Sequence, residues 1–89
     1  MKYNEQYVLG NLKGKSVLVL KTEEKIDATK VITINEIGVV IVRGLQKGKQ
    51  KEDIVSSILA EYDVARETVE KDYDEFVAKL LEIGVVIDA

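Results

Sequence analysis

The side chains that could do chemistry in this chain are few. Ser56-Ser57 lies close to Asp53, which invites comparison with carriers that bear a phosphopantetheine arm on a serine. Both serines fall inside an amphipathic helical pattern and neither follows directly on an Asp, so that role is not expected. Carboxylates crowd the last helical segment: Glu67, Glu70, Asp72, Asp74, Glu75 and Glu82. Glu67 with Glu70, and Glu70 with Asp74, are surface neighbours that could hold a hard cation. No loop ligands accompany them, and a solvated helix face is the better account. Gly44-Leu45-Gln46-Lys47-Gly48-Lys49 lacks the full phosphate-loop spacing and follows a helix, not a strand, so it reads as a helix stop and a turn. The 89 residues include no Cys and no His. Zinc fingers, iron–sulfur clusters, thiol nucleophiles and imidazole bases are therefore excluded. Catalysis by Asp, Glu, Lys or Tyr would require a very small enzyme. That possibility stays open at this point; no cofactor and no metal are expected.

The length gives one domain spanning residues 1–89. No run approaches the about 20 continuous apolar residues of a membrane span. Met1-Lys2-Tyr3-Asn4-Glu5 shows no apolar signal core. A cytoplasmic, free-standing protein without membrane contact is expected. The net charge of −3 hides a split. Residues 1–51 carry ten Lys/Arg against five Asp/Glu, a balance of +5; residues 52–89 carry three against eleven, a balance of −8.

The elements that must position any site follow a βββααα order. Tyr7–Leu12 and Ser16–Lys21 are β-rich runs joined around Lys13-Gly14, and glycine there suits a tight hairpin. Thr22 to Thr29 is polar and reads as a loop. Lys30-Val31-Ile32-Thr33-Ile34 is β-branched and predicts a third strand. Asn35 is a preferred N-cap for a helix over 35–46, with Ile37, Val40, Ile41, Gly44 and Leu45 at helical spacing. A second helix over 51–62 shows Ile54, Val55, Ile58, Leu59 and Tyr62. A third over 66–83 shows Val69, Tyr73, Phe76, Val77 and Leu80, flanked by Leu81 and Ile83. That arc, roughly 160° wide, is broad enough to cover a core and leave a shoulder for a ligand. The predicted fold is α+β, winged helix-turn-helix-like, with a three-stranded antiparallel sheet followed by three helices.

In such a meander the third strand is an edge, and exposed edges are templates for another strand. Here it carries no proline, and Lys30 is its only charge. Either a loop or the Val85–Ile87 tail covers it, or it takes a peptide by β-augmentation. Two other readings compete. In a DNA-binding winged helix the last helix would enter the major groove. That helix holds three basic and six acidic residues, so phosphate repulsion disfavours nucleic acid. A homodimer through the third-strand edge is the other.

Ile32-Thr33-Ile34-Asn35-Glu36-Ile37-Gly38 followed by Val39-Val40-Ile41-Val42 resembles the pattern of the PqqD-like family. Glu52-Asp53-Ile54-Val55, Glu61-Tyr62-Asp63-Val64, the block from Val69 to Phe76 and the close from Leu80 to Val86 match its later blocks in order. The likeness covers nearly the whole chain. It implies a RiPP recognition element: a non-catalytic adaptor, or peptide chaperone, that binds the leader segment of a ribosomally made precursor peptide. The leader would be presented to a modifying enzyme, such as a radical SAM protein, in natural product biosynthesis. It also implies that the leader adds to the third strand in the groove made with the last helix.

Carried over by resemblance, the peptide-binding residues are Lys30, Val31, Ile32, Thr33 and Ile34 on the strand, and Val69, Asp72, Tyr73, Phe76, Val77 and Leu80 on the helix. Some must be ordinary core, Phe76 and Leu80 first. Alternation along a strand turns Ile32 and Ile34 inward and Val31 and Thr33 outward. Asp at Val31 or at Val77 is then expected to abolish peptide binding with the fold intact. The chain departs from the family pattern in three places. Val42 stands where many members have Trp, Ala65-Arg66 where an acidic residue and Pro often open the last helix, and Gly10 where an Arg is usual. The basic strand half is expected to steer an acidic leader.

Overall fold

At the Lys13-Gly14 turn both residues take positive φ, 53° and 80°. That is the mirror-image turn whose twist matches a two-residue hairpin, and the Asn11 side chain accepts from the Gly14 amide at 3.1 Å. In the computed structural model, which describes residues 2–21 and 26–87, this turn joins β2 (Tyr7–Leu12) to β3 (Lys15–Lys21). β1 (Lys2–Tyr3) precedes them; β4 (Ile26–Ile34), α1 (Glu36–Gln46), α2 (Lys51–Glu61), α3 (Arg66–Ile83) and β5 (Val86–Ile87) follow. The main sheet is antiparallel in the order β2-β3-β4, so β2 and β4 are its edges.

Two readings of the sequence are corrected here. The stretch read as a loop is strand from Ile26 onward, so β4 is longer than residues 30–34; Thr22 to Lys25 lie outside the described residues. Its polar composition hid it, and its pairing is irregular. Ser16 to Leu18 oppose Ile34 to Ile32 in regular register, but Leu20 then opposes Asp27. Val19 alone faces residues 28–31, a bulge in β4 that bends the edge. The C-terminal tail does not cover β4. Val86 and Ile87 pair with Tyr3 and Lys2 in a separate two-stranded sheet, a pairing of the chain ends that no local pattern announces.

One face of the main sheet, with Tyr7, Leu9, Leu18, Leu20, Ile32 and Ile34, packs on the helices. Leu18 is fully buried at its centre. α1 starts where the sequence predicted: Asn35 accepts from the Gly38 amide at 2.8 Å, satisfying one of the orphan donors of the first turn. Gly84, at φ 100°, closes α3 with its amide bonded to the Leu80 carbonyl. Lys51, at the start of α2, braces α3 through a 2.9 Å bond to Asp74 and lies 5.7 Å from the centre of the Tyr73 ring. Both partners are largely exposed, so the pair contributes little stability. The Asp74 bond, above all, raises the Lys51 pKa, and burial raises that of Tyr73.

α1 and α2 meet at Gly44. A Cβ there would stand 2.5 Å from Ile54 Cγ1 and 2.8 Å from its Cδ1, and Ile54 is itself buried. Gly44→Ala is therefore expected to destabilise the domain by about 1–3 kcal/mol, more than the about 1 kcal/mol gained in helix propensity. The melting temperature should fall by several degrees. In an Ile54→Ala background, where the obstructing atoms are gone, the same change should cost clearly less.

Candidate functional site

β4 ends in Ile34, buried against the helices; Ile32 and Val31 are half-buried and Thr33 is exposed. Inward Ile34 and outward Thr33 follow from strand alternation. The side chain of Lys30 lies outside the described residues. Among the described residues no strand pairs with the outer side of β4.

Where β4 passes into α1, a concavity of about 380 Å³ opens between α1 and α3. Its floor is apolar: Ile37, Gly38 and Ile41 from the first turns of α1, and Phe76 from α3. Gly38 lets these elements approach. A Cβ on it would stand 3.2 Å from the Ile34 Cβ and 3.3 Å from the tip of the Phe76 ring. The end of β4, the start of α1 and the middle of α3 thus meet at one residue without a side chain. The rim is polar, formed by Asp72, Glu75 and Lys79 of α3 together with Asn35. All four are exposed.

The structure divides the helix residues that the sequence left together. Asp72 and Phe76 line the concavity. Val69, Tyr73, Val77 and Leu80 are buried in the core, where each contributes about 1.5–3 kcal/mol by leaving water. Leu80 is core as expected. Phe76 is not: it is half-buried at the border of the core, with its ring over Gly38. Val77, 8% exposed, faces the interior, so an Asp there perturbs folding rather than a groove. Sequence reasoning also missed Ile37 and Gly38: helical spacing marked Ile37 simply as part of the packing face of α1, where Ile41 is indeed core. A larger concavity, about 450 Å³, borders the other edge strand, β2, beside Tyr3, Tyr7 and Leu45. Burial raises the Tyr3 pKa there, and its hydroxyl donates to the Tyr7 carbonyl at 2.8 Å.

The family model for coenzyme PQQ synthesis protein D (PqqD) matches residues 7–86, all of the main sheet, the three helices and the first residue of β5. The chain belongs to the PqqD family. No curated protein sequence matches this PqqD-family chain. Two solved structures resemble it. One is TbiB1 in complex with the TbiA(beta) leader peptide, at 29% identity and a TM-score of 0.77, covering 100% of this chain and 98% of that one. The other is a lasso peptide synthetase B1 complexed with the leader peptide, at 20% identity and a TM-score of 0.75, covering 98% and 96%; at that identity the likeness speaks for the fold. No helix of the described residues is long and apolar enough to cross a membrane.

Proposed function

We propose that this PqqD-family domain binds the leader segment of a ribosomally made precursor peptide and presents it to a modifying enzyme such as a radical SAM protein. The domain itself is non-catalytic, needs no cofactor and works in the cytoplasm. The observation that carries this reading is the junction of an unpaired edge strand with an apolar concavity. β4 offers backbone donors and acceptors to an added strand, and Ile37 and Phe76, at Gly38, offer a seat for one of its side chains. Main-chain bonds then give affinity and the seat gives specificity. The likeness to TbiB1, solved with a leader peptide, supports it.

The groove residues in this reading are Val31 to Ile34 of the strand, Ile37, Gly38 and Ile41 of α1, and Asp72 and Phe76 of α3. An amide NMR titration with the leader of a precursor encoded beside this gene tests it. Shifts should concentrate at residues 31–41 and 72–79, and the amides of β2 should stay put. Shifts confined to the β2 edge, or none with the leader, would overturn the assignment. An added strand also leaves a bulged stretch poorly matched, so contacts should be densest at Ile32–Ile34, where the register is regular.

A further inference from the structure

The rim of the concavity carries its charges in order. Asp72 is three and four residues before Glu75 and Phe76, and Lys79 is four and three after them, so the four lie on one side of α3. Along α3 Phe76 lies between Asp72 and Lys79, while Glu75 stands one turn from Lys79 on the far side of the rim. Among the described residues the ion pairs are Lys51–Asp74 and Arg66–Glu70; although Glu75 and Lys79 are neighbours one turn apart, none of the three rim charges belongs to either pair. They border an apolar floor that a ligand would dehydrate, and charges facing a dehydrated seat interact more strongly than the same charges in bulk water.

An extended peptide fits this order. Alternate side chains of a strand point to the same face, about 6.7 Å apart. The residue that sits over Phe76 therefore has its neighbours at two positions before and two after on the same side. Those two lie about 13 Å apart. Asp72 and Lys79 are about 10 Å apart along the helix axis, within reach of both for a strand laid along α3.

We infer that the groove selects a segment in which an apolar residue is flanked, two positions to either side, by a basic residue facing Asp72 and an acidic residue facing Lys79. The inference rests on the groove reading above and adds a charge code that also fixes the direction of the peptide. A segment with the two charges exchanged would have to lie the other way round, so its ladder with β4 changes between antiparallel and parallel. This adds to the steering of an acidic leader expected from the charge split: the strand half is basic, but the helical wall of the seat is mostly acidic.

Selection from a displayed library of random twelve-residue peptides tests it, using the intact domain as bait. The wild-type domain should enrich peptides with a basic and an acidic residue two positions either side of an apolar one, in one order only. The Asp72→Lys/Lys79→Glu double variant should enrich the opposite order. A synthetic peptide of the wild-type consensus should bind the variant about tenfold more weakly, with the difference shrinking in high salt. These substitutions are at exposed positions, and an unchanged circular dichroism spectrum confirms that the fold survives. Enriched peptides without the flanking charges, or the same order on both proteins, would overturn the charge code and leave the groove standing. Peptides that bind Phe76→Ala as tightly as wild type would instead show that the groove is not the site, and both readings would fall.

Discussion

Phe76→Ala is expected to weaken leader binding about tenfold or more while the helical circular dichroism of the domain survives. The asymmetry comes from where the ring stands. It is half-buried, touches the Gly38 backbone and forms part of the floor of the concavity. In the free domain part of its surface still faces water, so its removal takes away only part of what a core aromatic contributes to stability. In the complex it would be covered, and truncating a buried aromatic anchor at the centre of an interface typically costs about 2 kcal/mol or more. Since about 1.4 kcal/mol is a factor of ten in affinity, the loss is easily read by fluorescence anisotropy with a labelled leader. Phe76→Leu keeps an apolar floor and should recover part of the binding. Equal affinities for all three proteins would show that the peptide passes elsewhere.

Much of this arrangement was legible because its causes are local. The Lys13-Gly14 turn, the Asn35 cap and the Gly84 stop each depend on a residue and its immediate neighbours. The 3.6-residue period gave the three helices nearly to the residue. What stayed hidden depends on packing between distant segments. The pairing of Lys2-Tyr3 with Val86-Ile87 joins two runs too short to stand out. The extension of β4 through Ile26 carries Asp27 and Thr29, and such polar residues read as loop. On α3 the difficulty is angular. Phe76 lies about 40° to one side of Leu80 and Val77 about 60° to the other. An arc read from sequence shows both as flanks of one apolar face. Which flank the other helices bury and which borders a concavity depends on the approach of α1 over Gly38. A glycine in the third position of a helix was the one available signal. Read as a poor helix former it says little; read as a close-approach residue it marks the floor of the groove.

The neighbouring position should behave in the opposite way. Val77→Asp is expected to unfold the domain near neutral pH rather than to block the groove. Val77 sits in the core cluster with Tyr73 and Leu80. No basic side chain shares that cluster, and among the described residues no polar or charged side chain is buried. A carboxylate placed there loses its hydration without gaining a partner, at a cost of about several kcal/mol, on top of the apolar packing that the valine supplied. A domain of this size is held by roughly 5–10 kcal/mol, so the folded fraction should collapse. The effect carries a pH signature. Burial would raise the pKa of the introduced carboxyl in the folded state above the ordinary value of about 3.9. The unfolded chain then releases that proton more readily, and the penalty is complete above the folded-state pKa. It shrinks as the pH falls, and below about 4, where both states hold the proton, its ionic part is gone. The gap in melting temperature between Val77→Asp and wild type should therefore narrow on acidification, whereas that of Val77→Asn should not. A variant that melts like wild type at pH 7 and has lost only its affinity for the leader would place Val77 in the groove and require α3 to be turned so that its other shoulder faces β4.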